Sequence, residues 1–187
     1  MPHVTTTSLQ MLSPDAVHPP SRTLPPQCRI DRVPDITPEF SKFLYRSVGS
    51  SWNWADRLPL TRGEWAEAIH RSGSETWVLT VDGAPGGYAE LAGTPDGVVE
   101  IVYFGLLPEQ LGRGLGGPLL AEVTARAWDL HTRCPDIAPI QRVWVHTCSL
   151  DGPAALANYL ARGFETFAVE EAAQEIVDAS TAWWPEA

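Results

Sequence analysis

Four glycines stand within the six residues Gly112-Arg113-Gly114-Leu115-Gly116-Gly117, between an apolar run and a segment of near-helical spacing. Glycine has no Cβ and reaches positive φ at little steric cost, so successive backbone N–H groups there can turn into one concavity at the start of a helix. The chemistry that suits such a concavity is the binding of an anion such as a phosphate. The spacing Gly112, Gly114, Gly117 also satisfies the dinucleotide fingerprint GxGxxG. It fits that use poorly, because Pro108-Glu109-Gln110-Leu111 separate the strand from the first glycine and the downstream acid, Asp136, falls in a loop. A Walker loop is excluded, since no Gly-Lys-Ser/Thr follows. The other alternative is a glycine-rich connection without a ligand.

Other side chains are candidates for chemistry. Glu100 interrupts an apolar strand, where a carboxylate costs free energy unless it is paired or working. It lies six residues before Leu106 and is expected on the same face at period two. Glu90 on the neighbouring strand is a reserve carboxylate. Trp52 and Trp54 beside Asp56 offer an aromatic and acidic wall suited to a cationic amine, or else a hydrophobic cover that closes the core. His146 and Cys148 alternate on one strand, but neighbouring positions of one strand rarely aim a thiol and an imidazole at each other, so Cys148 reads as a buried thiol. The remaining histidines fit no metal-ligand spacing, and no metal is expected.

The elements that must hold these residues follow from pattern. CRIDRV alternates as a strand, and Thr37-Pro38-Glu39 opens a helix with Phe40, Phe43, Leu44 and Val48 on one side. Thr61 and Glu64 start a second helix that contains Trp65 and runs toward His70. Two strands, ETWVLTVD and GYAELAGT, are joined through Gly83-Ala84-Pro85-Gly86, and VVEIVYFGLL follows as a third. A helix over about 114–131, strand QRVWVHT, a helix over 153–162 stopped by Gly163, and strand FETFAVE complete the order β, α, α, β, β, β, α, β, α, β. A hairpin feeding a strand-helix-strand unit implies one mixed sheet with helices on both faces. Residues 1–27, rich in Pro, Ser and Thr, read as a flexible leader, 28–171 as the domain, and 172–187, with Trp183-Trp184, as a tail.

Composition bounds the function. The 187 residues, 44% hydrophobic, suffice for one core without disulfide or metal. The longest apolar run, 101–107, has seven residues, whereas a membrane span needs about 20. Thirteen Lys and Arg against 23 Asp and Glu give a formal charge of −10, which repels nucleic acid and anionic lipid. Cys28, Cys134 and Cys148 form no CxxC pair and suit a reducing compartment, and no secretory signal is evident, so the cytoplasm is expected.

The stretch Leu106-Leu107-Pro108-Glu109-Gln110-Leu111-Gly112-Arg113-Gly114-Leu115-Gly116 resembles motif A of the GNAT superfamily of acyl-CoA-dependent N-acetyltransferases. Ala154-Ala155-Leu156-Ala157-Asn158-Tyr159-Leu160-Ala161-Arg162-Gly163-Phe164 resembles its motif B, in the right order. The likeness spans roughly 75–171 and implies the α/β GNAT fold: a central mixed, mostly antiparallel sheet of six or seven strands with helices on both faces. It implies acetyl-CoA as cofactor, with the amides of Gly112, Arg113, Gly114, Leu115, Gly116 and Gly117 on the pyrophosphate. Phe104, Leu106, Leu107 and Asn158 would border the rest of the coenzyme. The position ahead of the first loop glycine, usually Gln or Arg in the family, is Leu111 here, with Gln110 one place early.

By the same resemblance Glu100 is the base, directly or through water, and Tyr159 the acid that protonates the departing thiolate. Trp52, Trp54 and Asp56 are assigned to the acceptor side, and Thr147, with Ser149, to contact with the acceptor or with pantetheine. The implied activity is acetyl transfer to a primary amine, a small molecule first, by direct attack in a ternary complex. A non-catalytic acyl-CoA-binding or regulatory domain and a protein or peptide N-acetyltransferase are the alternatives, and a homodimer stays open.

Overall fold

The computed structural model describes residues 3–173. The segment expected as a flexible leader contains a strand, β1 (His3–Met11), hydrogen-bonded on both sides. Its threonines hid it. Thr5, Thr6 and Thr7 are β-branched residues that favour strands, yet they remove the apolar alternation that announces one, leaving Val4, Leu9 and Met11 as the buried apolar residues of the strand. The chain continues through β2 (Cys28–Arg32), α1 (Pro38–Gly49), α2 (Arg62–His70), β3 (Ser74–Val81), β4 (Ala84–Gly93) and β5 (Val98–Leu106). Then come α3 (Gly116–Trp128), β6 (Arg142–Cys148), α4 (Ala155–Ala161) and β7 (Glu165–Ala173). Of the expected tail, residues 174–187, including Trp183-Trp184, lie outside the described residues. Among those described, no helix is long and apolar enough to cross a membrane.

One seven-stranded sheet runs in the order β2-β3-β4-β5-β6-β1-β7, antiparallel throughout except for the parallel pair β5–β6. The β3–β4 hairpin turns tighter than expected. Asp82 and Gly83, both at positive φ (52° and 84°), make the two-residue turn that matches strand twist, and Ala84 already belongs to β4. Helices cover both faces, with one apolar cluster under each. Leu9, Leu79, Leu91, Ile101 and Val143 pack beneath α3, while Val78, Tyr88 and Tyr103 pack beneath α1 and α2. The caps form as the sequence suggests: Thr37 accepts from Phe40 N–H, and Thr61 with Glu64 closes a capping box. The buried stripe of α1 is shifted, since Leu44, Tyr45 and Val48 face the core while Phe43 is exposed and stacks on Phe40.

A register shift in β5 decides where the candidate base points. Glu90 pairs with Tyr103 but Leu91 pairs with Ile101, which leaves Val102 as an extra residue. Such a bulge reverses the parity of every later side chain. Val99, Ile101 and Leu106 all belong to the α3-side core, so Glu100 lies on the opposite face from Leu106, contrary to the period-two expectation.

Candidate functional site

Strands β5 and β6 pair only at Val98↔Arg142, Val99↔Val143 and Glu100↔Trp144. Beyond that point they part, and backbone groups of residues 101–106 that point away from β4 lose their strand partner. The gap opens into a cleft of about 1350 Å³. That exceeds the few hundred to about 1,000 Å³ of an ordinary small-molecule pocket.

At one end of the cleft lies the glycine turn. After the single-turn helix Pro108–Gln110, Gly112 (φ 72°) and Gly114 (φ 76°) adopt backbone conformations that residues with Cβ rarely hold, and α3 starts at Gly116. A Cβ at Gly112 would meet nothing within 4 Å, so conformation and not crowding demands glycine there. Asn158 Nδ2 donates to the Gly116 carbonyl (3.2 Å), tying α4 to the start of α3. Phe104, Leu106, Gly112, Gly114, Leu115, Gly116, Gly117 and Asn158 border the cleft as expected. Leu107 and Arg113 do not. Leu107 packs toward the α1 and α2 cluster, and Arg113 is exposed with its guanidinium on Gln110 Oε1. No carboxylate borders this end, and a turn of this kind suits an anion such as a phosphate.

Tyr159 lines the cleft from α4, its ring 5.9 Å from Phe104 and 6.1 Å from Phe164. Burial, and secondarily the charge of Asp151, push its hydroxyl above the ordinary phenol value, so it keeps its proton at neutral pH.

The other end is acidic and aromatic. Asp56 borders it, fixed by hydrogen bonds from the Tyr45 hydroxyl (2.8 Å) and the Tyr103 hydroxyl. Burial first, and Asp56 itself, raise both phenols, so they act as donors to that carboxylate. Trp54 borders the same end while packing against Tyr45 and Tyr103, so one side chain both lines the cleft and covers the core. Its Nε1 donates to Asp151 (3.4 Å), and a Cβ at Gly152 would sit 3.4 Å from the Trp52 indole. The α1–α2 connection is thereby fastened to the loop after β6. Thr147 does not border the cleft: it is buried, and its hydroxyl donates to Asp151 Oδ2 (2.7 Å), which also accepts from Cys148 N–H (2.9 Å). Ser149 Oγ accepts from Thr5 N–H and serves β1.

Neither expected base opens onto the cleft. Glu90 is buried, and both of its carboxylate oxygens are held by Arg57 in a bidentate pair (2.7 and 2.5 Å). Glu100 does not line the cleft, and its Oε1 lies 3.5 Å from Nδ1 of His146, which does. The Glu100 carboxylate beside it holds the imidazole above its ordinary value against the opposing effect of burial. The Cys148 thiol, half-buried at the cleft wall, is pushed up by burial. Sequence reasoning missed Arg22, Asp151 and Thr6, which line the cleft, and set His146 aside. His146 stands two residues beyond the partner of Glu100, a relation that becomes visible only once β5 and β6 are paired in register.

The sequence profile described as "Acetyltransferase (GNAT) family" matches residues 35–164. A comparison with curated proteins finds no match. Among solved structures, a GCN5-related N-acetyltransferase from Sphaerobacter thermophilus is similar over 97% of this chain and 56% of its own, at 16% identity and TM-score 0.66. One from Kribbella flavida is similar over 88% of this chain and 55% of its own, at 19% identity and TM-score 0.62. The chain thus spans little more than half the length of either. An aminoglycoside acetyltransferase from an uncultured soil metagenomic sample, in complex with sisomicin, is similar over 73% of this chain and 86% of its own, at 13% identity and TM-score 0.52.

Proposed function

The chain belongs to the acetyltransferase (GNAT) family, and from that premise we propose that it transfers acetyl from acetyl-CoA to the primary amine of a cationic small molecule, by direct attack in a ternary complex. The observation that carries this reading is the joining of an amide-rich, carboxylate-free end and an acidic aromatic end in one cleft, with Tyr159 on its wall. Acetyl-CoA, when bound, supplies an activated thioester carbonyl. The glycine turn at Gly112–Gly117 holds its phosphates, and the unpaired backbone of residues 101–106 aligns its arm. Asp56, Trp52 and Trp54 receive a cationic amine, by charge and by ring face.

His146 takes the proton that the amine must lose. Glu100 is a positioning residue that holds Nδ1 and leaves Nε2 as the acceptor. Tyr159 Oη, protonated at neutral pH, is the donor for the leaving sulfur. Cys148 is no rival nucleophile. Its raised thiol is little ionised near neutral pH, which supports direct attack over an acyl-enzyme. The three cysteines are free, in keeping with a cytoplasmic enzyme.

The test is an acetyl-CoA consumption screen over small amines, amino acids, aminoglycosides and peptides. Turnover concentrated on amines with more than one positive charge is expected. Coenzyme A binding without turnover on any class would overturn the enzyme reading in favour of a non-catalytic binding domain. Preference for peptides would overturn the small-molecule acceptor.

A further inference from the structure

Strand β1 lies between β6 and β7, whereas β2 is the opposite edge of the sheet, so residues 12–27 must cross the molecule to connect them. The crossing is held at several points. His18 N–H donates to the Arg162 carbonyl (3.0 Å), the Ala16 carbonyl occupies the space a Cβ at Gly163 would need, and Val17 and Leu24 pack on the α3-side core. Further on, Gln27 accepts from Asp82 N–H (2.9 Å). Pro19, Pro20, Pro25 and Pro26 stiffen the strap. Between these anchors it passes over the glycine turn: a Cβ at Gly117 would lie 3.8 Å from Pro20 Cβ, and one at Gly114 would lie 3.1 Å from both Cδ and Nη1 of Arg22.

Among the described residues that border the cleft, Arg22 is the only Lys or Arg, in a chain of net charge −10. No carboxylate of the described residues pairs with it. An exposed guanidinium placed against a turn of backbone N–H groups, with no carboxylate beside it, completes an anion site that the amides begin. We propose that Arg22, delivered by the strap from β1 to β2, binds the pyrophosphate of the coenzyme from the side opposite the glycine-turn amides. The inference rests on the cofactor reading above but assigns a residue from outside both sequence motifs.

The test is isothermal titration of the full chain with coenzyme A, dephospho-coenzyme A and S-acetylpantetheine, for wild type, Arg22→Gln and Arg22→Lys. Arg22→Gln should raise the Kd of coenzyme A and of dephospho-coenzyme A about tenfold, a charge-assisted bond's share of affinity, and leave that of S-acetylpantetheine unchanged. Arg22→Lys should recover part of the loss, because charge returns without the fork. The slope of binding against salt should be shallower in Arg22→Gln. Unchanged coenzyme A affinity in Arg22→Gln would overturn the assignment while leaving the cofactor site intact. Equal weakening of S-acetylpantetheine would overturn it as general damage to the cleft, and a loss that vanishes with dephospho-coenzyme A would move the contact to the 3′-phosphate. A wild-type chain that binds no coenzyme A would instead sink the cofactor reading itself.

Discussion

His146 Nδ1 stands 3.5 Å from Glu100 Oε1, and of the two only His146 borders the cleft. The pair forms because β5 and β6 are still in register at Glu100↔Trp144 and because the bulge at Val102 leaves Glu100 on the face turned away from Leu106. A carboxylate in this position does not need to reach the substrate. It raises the proton affinity of the imidazole, and the reaction proposed above therefore makes the histidine the base of the pair.

The first prediction is a pH profile. Because Glu100 raises the His146 pKa, activity should climb with pH through a value above the ordinary imidazole range, about 6.5. Glu100→Gln should move that climb to lower pH, and His146→Gln should lower turnover about 10²-fold or more. The same pair favours the folded state below the unfolded imidazole's pKa, and this contribution fades as pH rises through the folded value. Profiles identical to wild type in both variants would remove the pair from the proton path.

The glycine turn and Tyr159 were legible in the sequence because each motif is local: the residues that make the nest, and those that carry the tyrosine to the cleft, are neighbours in the chain. What stayed hidden depends on distant pairing. β1 contacts Thr147 and Val169 across more than half the chain, and its threonines conceal the alternation. Arg22 follows from that error, since a residue in an expected leader has no assigned place. The face of Glu100 is not legible in the sequence because the bulge belongs to the β4–β5 pairing and leaves no local mark, and the partner of Glu90, Arg57, comes from 33 residues away in the chain.

Tyr159→Phe tests the hydroxyl as the proton donor of the proposed reaction. The ring stays packed against Phe104 and Phe164, so coenzyme A affinity and melting temperature should hold while turnover falls about 10²-fold. Turnover at the wild-type level would assign the hydroxyl to packing alone.

Glu90→Ala separates a structural carboxylate from a catalytic one. The substitution leaves the Arg57 guanidinium, itself largely buried, without its bidentate partner, and removing one member of such a pair costs about 3–5 kcal/mol. The urea midpoint should therefore fall sharply, and Asp56, next to Arg57 in the chain, should lose its fixed position. A variant as stable as wild type but inactive would restore Glu90 as a base.

Leu9 tests whether the N-terminal segment is part of the domain. It is 0% exposed, in the α3-side core, on a strand that separates β6 from β7. Leu12, just beyond the same strand, is 64% exposed. If residues 1–27 were a solvated leader, truncating either leucine would change stability by no more than about 0.5 kcal/mol. With β1 in the sheet, Leu9→Ala should cost about 2–5 kcal/mol in chemical denaturation, the range for emptying a buried leucine site, while Leu12→Ala stays within the surface range. Weakening β1 also loosens one end of the strap that holds Arg22 against Gly114. Leu9→Ala should therefore weaken coenzyme A more than S-acetylpantetheine, and a loss of stability with no such preference would mean the strap is held from Arg162 and Gln27 alone.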